Sequence, residues 1–311
     1  MIKLVAAFAI ALFPFLAMAQ SAESNQNKAT EYYKKKEYTK AIKELDKTLL
    51  SDSNNIKALL LKGHCLYDLK QFQQSYNLFS KVLQIDSTDF EALNQRGLIL
   101  NTIQEFEGAI SDFTKALKLN LPDSIKISLY INLGTAKAAI RDFEGAYESY
   151  MSAYKIDSLD VGALNNLAVV CDETGRGNET LKYLFKIVDI NPGFIGSYCN
   201  IGFKYQGMGE HQKAIDFFDK ALKIEKNQPL ALNNRGFSKY KIGDLKGGLA
   251  DIEKSIENYP ANSFAFKNRA LIYFAMNEYG KGCADLHTAI KLGFTEMYGK
   301  EVMDLIDEKC R

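Results

Sequence analysis

Charge of one sign is what this chain most lacks. Its 39 lysines and arginines stand against 38 aspartates and glutamates, a formal net charge of +1 over 311 residues. Such a balance gives no field that would draw a polyanion, so neither nucleic acid nor an acidic membrane is an expected partner. Proline is scarce, at five residues. No Pro-, Gly- or Ser-rich stretch marks a linker, although the length alone would allow about two domains. Histidine occurs three times, and His64, His211 and His287 are too scattered to have metal-ligand spacing. Each reads as a surface or packing residue. The chain has no His-Glu-x-x-His, no P-loop and no Ser or Cys in a recognisable nucleophile elbow. Its Gly-x-Gly triplets, Gly175–Gly177 and Gly207–Gly209, fall between helical stretches and follow no strand. No catalytic residue, metal or cofactor is therefore expected.

Long apolar runs are also missing, with one exception at the start. Lys3 precedes an apolar run from Leu4 to Leu16, followed by Ala17-Met18-Ala19 and Gln20. A charged start, a short apolar core and a small-x-small site mark residues 1–19 as a secretory signal peptide. The run is too short to span a bilayer comfortably, so no membrane insertion is expected after cleavage. No cysteine follows the cleavage site, which argues against a lipoprotein.

What is present is a repeat. Ala29, Gly63, Gly97, Gly134, Ala168, Gly202, Gly236 and Ala270 recur at intervals of 34 residues, with one interval of 37 between Gly97 and Gly134. A second set keeps step with it (Ala41, Ser75, Ala109, Ala146, Thr180, Ala214, Gly248, Gly282), and so does a large one (Leu45, Phe79, Phe113, Tyr150, Leu184, Phe218, Ile252, Leu286). The stretch from Ile195 to Gln228 shows why. Tyr198, Ile201, Gly202 and Tyr205 make one apolar helix stripe, Gly207 and Gly209 punctuate a turn, and Ala214, Phe218 and Ala221 make a second stripe. Two short helices cannot bury both stripes alone, so neighbouring units must, and a fixed period of this kind means a solenoid.

The period and pattern resemble the tetratricopeptide repeat (TPR) over roughly residues 24–294. With the first small set counted as position 8, that family carries small residues at 8, 20 and 27 and proline at 32. Here position 27 is Ala116, Ala153, Ala221 and Ala289, and position 32 is Pro192 and Pro260. Small residues let paired helices approach, and aromatic residues at 17 and 24, such as Phe72, Phe106, Phe143 and Tyr279 at 17, fill the remaining space. The resemblance implies an all-α fold, a right-handed α-solenoid of about eight helix-turn-helix repeats within residues 20–294. Their bounds are roughly 22–55, 56–89, 90–126, 127–160, 161–194, 195–228, 229–262 and 263–294. A C-terminal capping helix over 295–311 would follow, with Met297, Val302, Leu305 and Ile306 on one apolar face.

Departures from the pattern carry their own expectations. Asn25 and Lys28 give the first repeat a polar outer face, as a terminal repeat needs. Three extra residues lie at Asn120–Ser124, where Pro122 disfavours helix at Leu121 and predicts a longer loop. Gly177 stands where other repeats have an aromatic residue, so the fifth repeat should have the thinnest contact between its helices. Cys65, Cys171 and Cys199 are expected to pack as small apolar groups. Cys283 and Cys310 would form a disulfide stapling the cap in an exported protein, and their surroundings resemble the C-terminal ends of secreted bacterial TPR proteins. Two free thiols are the alternative, and a metal site lacks further ligands. Asp86-Ser87-Thr88, Asp123-Ser124-Ile125 and Asp157-Ser158-Leu159 lie at expected turns. They resemble a short O-glycosylation acceptor of some Gram-negative bacteria, but Asp-Ser is also ordinary turn chemistry.

In a stacked TPR array, positions 2, 6, 9 and 13 line the concave face. Position 6 is Asn132, Asn166, Asn200, Asn234 and Asn268, with Gln95 in the third repeat; position 9 is Val169, Phe203, Phe237 and Leu271. A carboxamide offers both donor and acceptor to an extended peptide, and Phe203, Phe237 and Phe264 are candidate apolar anchors. Asparagine at position 6 also resembles the family's own consensus, so a structural role competes with this reading. Lys57 and Lys267 fall in the groove, but Arg96, Arg235 and Arg269 fall at position 7, toward the neighbouring helix, so a carboxylate clamp is not expected. The resemblance implies a non-enzymatic scaffold that binds a protein or extended peptide. It would be an adaptor in an envelope assembly, exported to the periplasm or cell envelope of a Gram-negative bacterium. A structural spacer or self-associating scaffold contacting through its edges is a second reading, and an accessory subunit of an enzyme complex a third. Neither partner identity nor oligomeric state is legible here.

Overall fold

A computed structural model describes residues 23–310; the signal peptide expected at residues 1–19 lies outside the described residues. Among the described residues every regular element is a helix, and none is long and apolar enough to cross a membrane. The helices form eight consecutive hairpins. The first four are α1 (23–34) with α2 (Tyr38–Ser51), α3 (Ile56–Asp68) with α4 (Phe72–Ile85), α5 (Phe90–Thr102) with α6 (Phe106–Leu117), and α7 (Asp123–Ala139) with α8 (Phe143–Ile156). The second four are α9 (Val161–Glu173) with α10 (Gly177–Ile190), α11 (Ile195–Gly207) with α12 (His211–Ile224), α13 (Pro229–Lys241) with α14 (Leu245–Asn258), and α15 (Ser263–Ala275) with α16 (Tyr279–Lys291). Two short helices, α17 (Phe294–Tyr298) and α18 (Glu301–Lys309), end the chain.

The chain divides between Asn166 and Leu167 into two compact halves. In the N-terminal half, α2 to α8 pack each against the next in chain order, which is the layout of an α-solenoid. Its core is a succession of small clusters, one around Leu59, Phe79 and Val82, the next around Leu93, Phe113 and Leu129. In the C-terminal half, α10 to α16 pack in the same serial way, around Tyr198, Phe218 and Leu232 and then around Ile252, Ala265 and Ile272.

In seven of the eight hairpins positions 8 and 24 are matched in size; in the seventh Gly236 faces Ile252, and the backbone of Gly248 comes close as well. Gly63, Gly97, Gly134 and Gly202 face Phe79, Phe113, Tyr150 and Phe218, and a Cβ on any of these glycines would stand 2.5–2.7 Å from the ring. Where position 8 is Ala29, Ala168 or Ala270, position 24 is Leu45, Leu184 or Leu286, all buried. One methyl group on the first helix is exchanged for a smaller side chain on the second, keeping interior density constant.

Each hairpin turn is built alike. Position 15 has positive φ in all eight repeats, at Lys36, Lys70, Gln104, Arg141, Gly175, Gly209, Gly243 and Asn277. The next residue's N–H reaches back across the turn, as in Gln71 to Leu66 and Glu210 to Tyr205, closing a Schellman motif. Between repeats, Asp52, Asp86, Asp157 and Asn191 accept a bond from the backbone N–H two residues on. That Asx turn accounts for the aspartate in two of the three Asp-Ser triplets. The third, Asp123-Ser124-Ile125, does not lie in a turn: it starts α7. The three extra residues near Pro122 chiefly lengthen α7, to 17 residues against 13 for α5, and the expected longer loop is formed by one residue only, 118–122 against 86–89.

The position-7 arginines turn inward. Arg96, Arg235 and Arg269 each bind the aspartate sixteen residues on, Asp112, Asp251 and Asp285, with two nitrogen–oxygen contacts apiece. Arg235 adds Asp219 of the preceding repeat at 2.7 Å, so the charge staples three helices.

The cap differs from expectation. It is not one helix: Gly299, with φ of 85°, breaks it into α17 and α18. Met297 is 58 % exposed. The plug is Phe294, fully buried with Val302 against Ala270, Leu286 and Ala289, with Leu305 and Ile306 partly covered. A disulfide joins Cys283 to Cys310. Cys65 and Cys171 are buried and Cys199 half-buried; burial pushes all three thiols up to about 11 and keeps them protonated at neutral pH.

Candidate peptide-binding groove

The carboxamides of position 6 are not an even ladder. Asn132, Asn166 and Asn234 are half-buried and Asn200 is exposed. Asn268 is buried and donates to Asn233 Oδ1 at 3.1 Å, and Asn233 donates in turn to Asn234 Oδ1 at 3.3 Å. Asn268 therefore serves the packing of α15 on α13 and is withdrawn as a peptide contact.

The aromatic candidates also separate. Phe203 is 64 % exposed. Phe237 is half-buried, held edge-on by His211 and flanked by Tyr240, with Lys241 over its face. Phe264 is covered by the cap, its ring centroid 5.2 Å from Phe294 and 4.7 Å from Tyr298. Lys267 is only 7 % exposed and pairs with Glu301 of α18 at 2.7 Å. So α17 and α18 occupy the groove positions of the eighth repeat, and Phe264 is a structural residue there.

An open site lies between the fifth and sixth repeats. A cavity of about 240 Å³ is bounded by Val169 and Glu173 of α9, Leu184 of α10, and Asn200, Phe203 and Lys204 of α11. Val169 is 63 % exposed beside Phe203. In its lining Asp172 pairs with Lys204 and accepts from the Thr180 hydroxyl at 3.1 Å. The thin contact expected at Gly177 is thus a polar bridge: a Cβ there would meet Asp172 Oδ1 at 2.8 Å and Lys204 Nζ at 3.1 Å. Of the sequence candidates, the structure gathers Asn200 and Phe203 here and adds Asp172, Glu173 and Lys204, which sequence reasoning passed over. Their signal was available. Lysine stands at position 10 of the sixth repeat, where other repeats carry residues such as Cys65, Ile99 and Ile272. Among the described residues no three His, Cys, Asp or Glu side chains gather as a metal site.

With this geometry in place, comparison with known proteins is informative. Models of the tetratricopeptide repeat match residues 90–123 and 196–228, and the model of anaphase-promoting complex, cyclosome, subunit 3 matches residues 7–82. Protein FlbA of Caulobacter vibrioides is 29 % identical over 129 residues, which is 40 % of this chain and 21 % of FlbA. The chain spans between 14 % and 61 % of the length of the other curated relatives it matches. Among solved structures, MamA is 27 % identical with a TM-score of 0.50, over 53 % of this chain and 94 % of MamA. YrrB, described as a TPR protein with an unusual peptide-binding site, has a TM-score of 0.52 at 20 % identity, over 60 % of this chain and 95 % of YrrB. Repeat period, helical hairpins and these likenesses agree, and the chain is a tetratricopeptide-repeat protein.

Proposed function

We propose that this protein is a non-enzymatic scaffold that holds an extended segment of a partner protein in the groove formed by the first helices of its repeats. One observation carries the reading: Asn200 stands beside the exposed Phe203 and Val169 around an open cavity. A carboxamide there offers both hydrogen-bonding halves to a peptide backbone, each bond worth about 0.5–1.5 kcal/mol net. The two apolar side chains supply the anchoring that such bonds alone would not. The peptide-binding site of YrrB is in keeping with this use of the fold. The signal pattern at residues 1–19 supports export, and the role we assign is an adaptor in an envelope assembly. Affinity capture from envelope extract tests both parts. The captured partner should be lost with the Asn200→Ala/Phe203→Ala variant, and the exported chain should begin at Gln20. Retention of every partner by that variant would move binding to the edges of the array, and an exported chain beginning at Met1 would remove the signal.

A further inference from the structure

The fifth repeat differs from the others where its two helices meet. In every other repeat at least one of positions 12 and 17 carries a ring, and in some both do, as in Tyr67 with Phe72 and Phe274 with Tyr279, whose ring centroids lie 5.5 Å and 5.8 Å apart. In the fifth repeat the same positions hold Asp172 and Gly177. No ring closes the gap. Lys204 enters from the next repeat to neutralise Asp172, but an ammonium and a carboxylate do not fill the volume of two rings, and the cavity remains.

Its charges do not balance. Lys204 is spent on Asp172, while Glu173, exposed at the mouth, has no partner among the described residues. The neighbouring acid at the start of α10, Glu179, is engaged by the Tyr183 hydroxyl. The mouth therefore carries one uncompensated negative charge, beside the exposed face of Phe203 and the aliphatic Val169.

We infer that this cavity receives an arginine or lysine side chain from the extended partner segment, an inference that rests on the peptide-binding reading above. The aliphatic stem lies between Val169 and Phe203, where it covers apolar surface. The cation sits at the ring face and reaches Glu173, combining a cation–π contact with an ion pair. Asn200 meets the backbone on either side. An acidic side chain in the same place would face Glu173 and be rejected.

The test is selection from a displayed library of random eight-residue peptides on the full chain, at low and at 0.5 M salt. The wild-type protein should enrich arginine or lysine at one fixed position. Glu173→Gln, an exposed isosteric change, removes the ion pair and leaves the ring, so it should clearly reduce that enrichment and weaken a selected basic peptide by roughly two- to fivefold relative to the same peptide carrying glutamine there. High salt should shrink the preference. Peptides selected with no basic bias, with an acidic bias, or with a basic bias untouched by Glu173→Gln would overturn the inference and leave groove binding standing. Recovery of no peptide by the wild-type protein would overturn both.

Discussion

A methyl group added at Gly202 tests the size matching found in seven of the eight hairpins. The new Cβ would stand 2.7–2.9 Å from three carbons of the Phe218 ring, where carbon atoms settle at about 3.5–4.0 Å. Phe218 is fully buried among Ala214, Ala221 and Ala231, so the ring has no open side to withdraw into. Overpacking of this kind costs about 1–3 kcal/mol, and alanine returns about 1 kcal/mol of helix propensity over glycine. Gly202→Ala should therefore lose up to about 2 kcal/mol. Phe218→Leu alone trims the ring over an unchanged glycine and leaves a void, again costing about 1–2 kcal/mol. The double variant recreates the pairs found at Ala29 with Leu45, Ala168 with Leu184 and Ala270 with Leu286, all buried. Urea unfolding of the four proteins, followed by helical circular dichroism, gives the cycle. The double variant should exceed the sum of the singles by about 1–2 kcal/mol. Strict additivity would refute the idea that positions 8 and 24 trade volume.

Three further outcomes follow from the same geometry. Lys70→Gly and Arg141→Gly relieve a side chain held at positive φ, so each should raise thermal stability by about 0.5–1 kcal/mol, whereas Lys70→Ala should not. Arg269→Leu leaves Asp285, buried at the other end of its two bonds, without a counter-charge. It should cost about 3 kcal/mol in denaturant unfolding, and adding Asp285→Leu should bring the protein back to within about 1 kcal/mol. Glu91 accepts a bond from His64 at 2.5 Å, and that bond holds its carboxyl below the usual carboxylate range. Because the folded value is depressed, the stabilisation is complete above the unfolded carboxylate pKa of about 4.3 and is lost as pH falls through the lower folded value. Glu91→Gln should remove that part of the acid limb in a pH series of melting temperatures and leave the neutral range unaltered in slope.

Features whose residue type recurs from repeat to repeat could be read from the residues alone. Period, hairpin order and the inward turn of the position-7 arginines all follow from spacing, because a position buried in one repeat is buried in its equivalents. Features made once could not. The lengthened α7 depends on whether extra residues near Pro122 join a loop or a helix, and either choice satisfies the preference of the residue before proline. Phe264, Lys267 and Asn268 occupy groove positions by number, yet α17 and α18 fold over the first two while Asn233 takes the third. Left-handed turns at Lys36, Lys70, Gln104 and Arg141 carry no glycine to announce them; the Schellman bonds impose that backbone on whatever residue stands there.

The open cavity falls between these two kinds of feature. Gly177 alone reads as a weak contact, and Lys204 alone reads as a surface lysine. Taken together they show a compensation that succeeds in one respect only. At Gly202 and Phe218 the two departures cancel in volume, and nothing is left over. At Asp172, Gly177 and Lys204 they cancel in charge but not in volume, so the chain remains folded around an unfilled space. Space kept open beside a satisfied ion pair is stable without an occupant and ready to admit one. That is the physical requirement for a preformed binding site, and in the C-terminal half it is met where Asn200 and Phe203 already face outward.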